Sequence, residues 1–125
     1  MELLTLLPFK KNIEIIYFVD NSLITVRAIY KNKPLGKIVS IINEDSNSIT
    51  IGDIQCKKNN QGYGAMMMER LIKIAKQKNI LYIEGWLSKG DEDHKDRLQH
   101  FYGKFGFQII SNDEGNKFAD IRLVL

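Results

Sequence analysis

Apolar and polar residues alternate along most of the first half of the chain, and the spacing then changes to that of helices. Ile13 to Val19 and Leu23 to Tyr30 read as strands joined by the polar turn Asp20-Asn21-Ser22. A third strand, Lys37 to Asn43, follows the turn Lys31-Asn32-Lys33-Pro34. The cluster Glu44-Asp45-Ser46-Asn47 then leads into Ser48 to Cys56, which alternates as a half-buried strand should. This pattern predicts an antiparallel meander. Lys57 to Asn60 breaks it, and from about Tyr63 to Lys78 the apolar residues Met68, Leu71, Ile72 and Ala75 recur at helical spacing. Glu69, Arg70, Lys73, Lys76 and Gln77 fill the opposite face, and Asn79 is placed to stop the helix. A strand from Ile80 to Leu87 follows, then a second helix after Asp93. In that helix Leu98, Phe101, Tyr102 and Phe105 fall at i, i+3, i+4 and i+7, and Gly106 is the left-handed residue that ends it. Phe107 to Ile110 and Phe118 to Leu125 close the chain as strands around the turn Asn112 to Asn116. A strand–helix–strand unit implies a right-handed crossover and one parallel pair in an otherwise antiparallel sheet. The expected class is α+β: a mixed, mostly antiparallel sheet of about six to seven strands with a pair of main helices. Residues 1–125 are read as one domain.

Composition narrows the function classes. Hydrophobic content of 44% and charged content of 26% are those of an ordinary globular protein. The net charge of +3 is mild and its 18 basic residues are scattered, which speaks against a dedicated nucleic-acid binder while leaving room for a local basic rim. Cys56, the single cysteine, permits no internal disulfide and no cysteine-based zinc site, so a reducing cytoplasm is the expected compartment and no metal is expected. The run Met1 to Leu7 carries Glu2 where a signal peptide would be basic, and it is too short to span a bilayer before Pro8.

The candidate chemistry starts at Gln61-Gly62-Tyr63-Gly64-Ala65, between a strand and an amphipathic helix. Glycines at such a junction let a ligand approach the backbone, and the amides of a first helical turn favour anions such as phosphate. The same glycines also suit a plain tight turn. Gly52 and Gly85, inside the strands on either side of this helix, are what a β-bulge or a close backbone approach requires; packing relief accounts for either one alone.

Gln61-Gly62-Tyr63-Gly64-Ala65 opening a helix, then a strand, then Leu98-Gln99-His100-Phe101-Tyr102-Gly103-Lys104-Phe105-Gly106-Phe107, resembles the GNAT superfamily of acetyl-CoA-dependent N-acetyltransferases. The likeness is good over Ile49 to Ile110 and looser in the flanking strands. It rests on two motifs in this order, about forty residues apart. The resemblance implies that acetyl-CoA is the co-substrate and that the Arg/Gln-x-x-Gly-x-Gly/Ala motif holds its pyrophosphate. Gly62 and Gly64 match the glycines. The Arg/Gln position falls on Asn59, a departure, with Gln61 nearby, so phosphate affinity leans on backbone amides. It further implies that Ser48–Cys56 and Ile80–Leu87 splay, so that pantetheine lies between them like an added strand. The implied cofactor contacts are Ile54, Gln55, Cys56, Asn59, Gln61, Gly62, Tyr63, Gly64 and Ala65.

Acetyl transfer to an amine needs the amine neutral, the thioester carbonyl polarised and the departing thiolate protonated or stabilised. Tyr102 matches the tyrosine that the family often uses as general acid toward the coenzyme A sulfur; its spacing equally suits packing with Leu98 and Phe105. Glu84 and Asp53, carboxylates inside strand runs, are the candidate bases, beside a water relay and the reading that both merely face solvent. His94 and His100 read as surface residues and Ser88 as a turn former. Met66, Met67 and Met68 read as core, Trp86 as acceptor-site lining or sheet face, and Cys56 as a small buried strand residue.

One departure from the family stands out. Its members carry one or two helices between the first and second strands, whereas here Val19 is followed almost at once by Leu23. Either helical character is confined to Leu3 to Leu7, or another subunit supplies the acceptor-side wall, as in a homodimer. An open groove suited to a bulky or protein-borne amine is expected. The alternatives are a catalytically inactive GNAT-like module binding coenzyme A or a protein partner, and a vicinal-oxygen-chelate metalloenzyme, which would require paired βαβββ repeats and strand-borne metal ligands.

Overall fold

The computed structural model describes residues 12–57 and 62–125. Leu3 to Leu7, Asn59 and Gln61 lie outside them. The alternating half forms an antiparallel meander of β1 (Glu14–Asp20), β2 (Leu23–Tyr30), β3 (Lys33–Asn43) and β4 (Ser48–Cys56). Its hairpins are tight because the turn residues enter the left-handed region: Asn21 has φ 55, Lys31 has φ 50 and Asn32 has φ 63. Positive φ at both central residues matches the twist of the flanking strands. Tyr30 therefore pairs with Lys33, and β3 starts well before Lys37, where alternation had placed it. Pro34, read as a turn residue, sits inside β3 beside the irregularity between Ala28 and Ile29, where a missing donor is tolerated.

Ile24, Val26, Ile38, Ile49 and Ile83 turn to one sheet face and are fully buried there. They pack against Met67, Met68, Leu71 and Ala75 of α1 (Tyr63–Gln77). The helix ends as expected at Asn79, φ 58, with the Ile80 amide donating to the Ala75 carbonyl at 2.9 Å. That bond delays β5 to Tyr82–Ser88 rather than Ile80. A 3-10 turn, Lys89–His94, leads into α2 (Lys95–Gly103). Gly106, φ 94, lets the Phe107 amide return to the Tyr102 carbonyl at 3.2 Å, which closes α2 and releases the chain into β6 (Gln108–Glu114) and β7 (Lys117–Val124).

The strands form one seven-stranded sheet in the order β1-β2-β3-β4-β5-β7-β6, in place of paired βαβββ repeats. Among the described residues only β4 and β5 pair in parallel, across the α1 crossover. Both helices pack on the same face. On the other, Phe18, Leu23, Ile41 and Trp86 stand exposed, Trp86 by 56%, with no described element over them. Asp20 and Leu23 pair across the β1–β2 turn, so no wall helix intervenes.

Candidate active site

The site is made by a parallel strand pair that comes apart. β4 and β5 register at Ser48–Tyr82, Ile49–Ile83 and Thr50–Glu84, and no further. On its other side β4 passes from Ile51 opposite Ser40 to Asp53 opposite Val39, so Gly52 is the extra residue of a β-bulge. The bulge bends β4 away from β5 and shifts its alternation, leaving Ile54 and Cys56 on the face of Ile49 and Ile51. Gly85 has a different part. β5 stays in register with β7 through Gly85 and Ile121, and a Cβ at Gly85 would lie 3.4 Å from Ile121 Cδ1 and 3.5 Å from Ile51 Cβ. It fills the floor of the fork without bulging. Above that floor the strands enclose a cleft of about 520 Å³.

The N-terminus of α1 opens at this cleft, lined by Gly62, Tyr63, Gly64 and Ala65. Gly62 caps the helix at φ 83, ψ 0, has no side chain to accept from the first-turn amides, and no acid stands in that turn. An α-helix start of this kind offers N–H groups and a positive dipole end to an anion. Gly64 sits close to its neighbours: a Cβ there would lie 3.3 Å from Phe101 Cε1, a tight contact, and 3.5 Å from Cys56 Sγ. β4, α1 and α2 thus meet at one residue.

Tyr102 lines the cleft from α2 and is buried, its ring edge-on to Phe101 at 5.1 Å and to Phe107 at 5.3 Å between centroids. Burial, reinforced by the Asp91 carboxylate, pushes its phenol up to about 12. It is a proton donor throughout the neutral range. Asp53 also lines the cleft, and its Oδ2 accepts from Gln55 Nε2 at 2.8 Å. Gln55, paired with Lys37 across β3, is exposed and lies outside the cleft lining. Glu84 is half-buried at the last paired rung, 3.4 Å from the Ser48 hydroxyl that donates to it, and it too lies outside the lining. Ile54 and Cys56 do line the cleft, and burial raises the Cys56 thiol. The structure therefore brings together Asp53, Ile54, Cys56, the glycine turn and Tyr102.

Trp86 and Ser88 border the cleft as well, but the Ser88 hydroxyl accepts from the Gly90 amide at 3.1 Å and so holds the turn. Met67 and Met68 are core, as read, whereas Met66 is exposed. Sequence reading missed Arg97, His100 and Lys104, which line the cleft from α2. Their i, i+3, i+7 spacing was a readable signal; their alternation with the aromatic positions hid it. Among the described residues no group of three or more His, Cys, Asp or Glu side chains converges as a metal site would, and no helix is long and apolar enough to cross a membrane.

A family model, acetyltransferase (GNAT) family, matches residues 5–107. The uncharacterized protein YocC of Bacillus subtilis is 38% identical over 80 residues, covering 64% of this chain and 47% of its own. The chain thus spans about half the length of that curated relative. A Thermoplasma acidophilum PaiA N-acetyltransferase in complex with coenzyme A superposes with a TM-score of 0.69 at 19% identity, over 83% of this chain and 62% of that one. A Bacillus subtilis acetyltransferase in complex with CoA superposes with a TM-score of 0.71 at 15% identity, over 91% and 99%. At these identities the superpositions speak for the fold.

Proposed function

The chain belongs to the acetyltransferase (GNAT) family, and from that premise we propose that it moves an acetyl group from acetyl-CoA to a primary amine by direct attack in a ternary complex. One observation carries this reading: β4 leaves β5 after Thr50–Glu84, beside an uncapped helix start, with a protonated phenol on the cleft wall. The unpaired edges of β4 and β5 offer backbone groups to the amides of a pantetheine arm, and the α1 amides suit its diphosphate. The apolar walls at Ile51, Ile54 and Leu98 exclude water from the thioester.

Tyr102 donates a hydrogen bond to the sulfur as charge develops there. Its phenol near 12 is a weaker acid than a thiol, whose reference value is about 8.5, so outright proton transfer is uphill by roughly 3 to 4 units. Tyr102 therefore stabilises the thiolate while the proton arrives from the nitrogen that has just become acidic. A lysine-like amine, with a reference value near 10.4, must first lose a proton. In this reading Asp53, which lines the cleft, takes it directly or through water, with Glu84, outside the lining at the fork, as the second candidate. The bare sheet face around Trp86 favours a bulky or protein-borne amine, or a second subunit covering it. The cytoplasm is the compartment this reading assigns.

The test is thiol release from acetyl-CoA in the presence of small amines and of peptides bearing free amines, beside a melting scan with acetyl-CoA against ADP. Stabilisation by acetyl-CoA beyond ADP together with thiol release supports the reading. Stabilisation without release across the panel points to a binding module, and no stabilisation sinks the assignment.

A further inference from the structure

We propose that Asp91, together with the exposed indole of Trp86, recognises a second positive charge on the acceptor, so that the protein favours amines bearing a further cationic group over amines with a neutral tail. The inference rests on the proposed function and names the acceptor class of the same cleft. β5 carries Trp86 to the cleft lining, and the 3-10 turn that follows carries Asp91. Trp86 is exposed, and the Asp91 side chain has no hydrogen bond or ion pair among the described residues. The turn itself is held. The Ser88 hydroxyl accepts from the Gly90 amide at 3.1 Å, the Lys89 amide donates to the Asn116 carbonyl at 2.7 Å, and Lys89 Nζ lies 2.7 Å from Asp113 Oδ1. Asp91 is thus an unpaired carboxylate on a braced segment, set at the cleft wall without a cation of its own.

Arg97, His100 and Lys104 line the same cleft from α2, so the sign at its reacting end needs deciding. Burial apart, the charge that acts on the Tyr102 phenol is that of Asp91 and not of the three basic groups. Lys104 lies over the rings of Phe101 at 5.8 Å and Phe105 at 5.5 Å, and Phe101 is the neighbour of Gly64, which puts that charge at the α1 end. Neither Arg97 nor His100 pairs with Asp91. The other acid in the lining, Asp53, stands on β4 with one oxygen held by Gln55. An acceptor whose reacting nitrogen lies between Tyr102 and Asp53 therefore presents its tail to Asp91 and Trp86. There an ammonium meets a carboxylate and an aromatic ring, a combination that attracts a cation and repels an anion. A cation docked at Asp91 also screens the charge that helps hold the Tyr102 proton, so the phenol becomes a stronger donor to the sulfur once the favoured acceptor is in place.

Equilibrium binding to the protein saturated with CoA tests this, with diaminobutane against aminobutane, and with peptides in which a reactive lysine is followed by a second lysine or by methionine. The wild type is expected to bind the doubly charged member of at least one pair about fivefold or more tightly, by a margin that shrinks as salt is raised; the two pairs distinguish a small from a protein-borne acceptor. Asp91→Asn should bind the members of each pair alike, whereas Asp91→Glu, which keeps the charge, should retain the preference. Equal wild-type affinity within both pairs, or a preference that survives in Asp91→Asn, overturns the inference and leaves the proposed function standing, because CoA is still bound. A wild type that takes up no CoA overturns both. Should Asp91→Asn fail to fold, the wild-type salt dependence decides: a preference indifferent to salt overturns the inference.

Discussion

The two ends of the β4–β5 pair use the same strands to opposite purposes. At the lower end Ser48, Ile49 and Thr50 zip onto Tyr82, Ile83 and Glu84, and the Ser48 hydroxyl donates across the pair to Glu84 Oε2 at 3.4 Å; from the other side of β4, Asn43 Nδ2 donates to the Ser48 hydroxyl at 3.1 Å and to Thr50 Oγ1 at 2.7 Å, with Ser46 Oγ 2.8 Å from Ser48 Oγ. At the upper end no side-chain bond joins β4 to β5 among the described residues, and the backbone edges face a cleft. A sheet normally satisfies its own edges. Here one inserted glycine, Gly52, separates the two regimes, which teaches that the ligand slot is a local defect held open by an otherwise regular sheet.

The sharpest way to break the contrast is to remove the defect. Deleting Gly52 leaves Ile51 and Asp53 in continuous register opposite Ser40 and Val39 and lets β4 run straight towards β5. The fold is expected to survive, since only an exposed residue is lost. Stabilisation by acetyl-CoA, about 2.7 kcal/mol at a hundredfold excess over Kd, should vanish with all turnover. A deletion variant that is still stabilised would show that something other than the bulge opens the slot.

Tyr102→Phe sharpens the contrast from inside the open end. It should lower kcat by roughly a hundredfold while leaving the melting shift with acetyl-CoA intact. Loss of that shift would make Tyr102 a packing residue. A pH scan gives an independent check. The folded phenol near 12 lies above the reference value of 10.0, so the folded state holds its proton longer than the unfolded one. Wild-type stability is then fully present below about 10 and falls, by on the order of 2 kcal/mol, as pH rises towards 12. Denaturant midpoints of the phenylalanine variant should lack that component.

Much of this contrast was legible beforehand. Alternation placed the meander, the strand–helix–strand unit required a parallel pair, and Asn79 and Gly106 stop their helices where positive φ was expected. A bulge at Gly52 was one of the readings that a glycine inside a strand allows, beside a close backbone approach and packing relief. The consequence of the bulge was not readable: after it the faces swap parity, so that Ile54 and Cys56 line the cleft whereas Gln55 does not. The Lys31-Asn32 turn was read as longer, through Pro34, because lysine gives no signal for a left-handed turn. His100 was read as a surface residue, and only the position of α2 against Gly64 puts it with Arg97 and Lys104 on the cleft wall.

At the zipped end Ser48→Ala tests how much the polar rung contributes. The Ser48 side chain is fully buried, and its loss leaves Asn43 and Ser46 with fewer partners. A destabilisation of about 1 kcal/mol is expected, visible in denaturant midpoints, with little change in acetyl-CoA binding. If binding weakens as much as stability, the two ends are coupled and the slot is not a local feature.

The smallest effect belongs to Asp120, opposite Trp86 on the strand that supports the open half of β5. Having lost β4 as a neighbour there, β5 leans on β7 alone, and β7 is braced where Asn112 Nδ2 and Lys117 Nζ donate to the two Asp120 oxygens at 2.7 and 2.9 Å. These bonds, the Asn112 amide first and the Lys117 ammonium next, hold the carboxyl below its usual range. A depressed carboxyl contributes stability above its unfolded value, near 3.9, and loses it as pH falls through the folded one. Because the side chain is 38% exposed, solvent screening limits the contribution to below about 0.5 kcal/mol. Asp120→Asn should therefore lower the melting point slightly at pH 7, and the difference from wild type should close on acidification below pH ~4. A gap that persists at low pH would mean that the brace works through shape rather than charge, and that the open end depends on its supporting strand no more than the zipped end does.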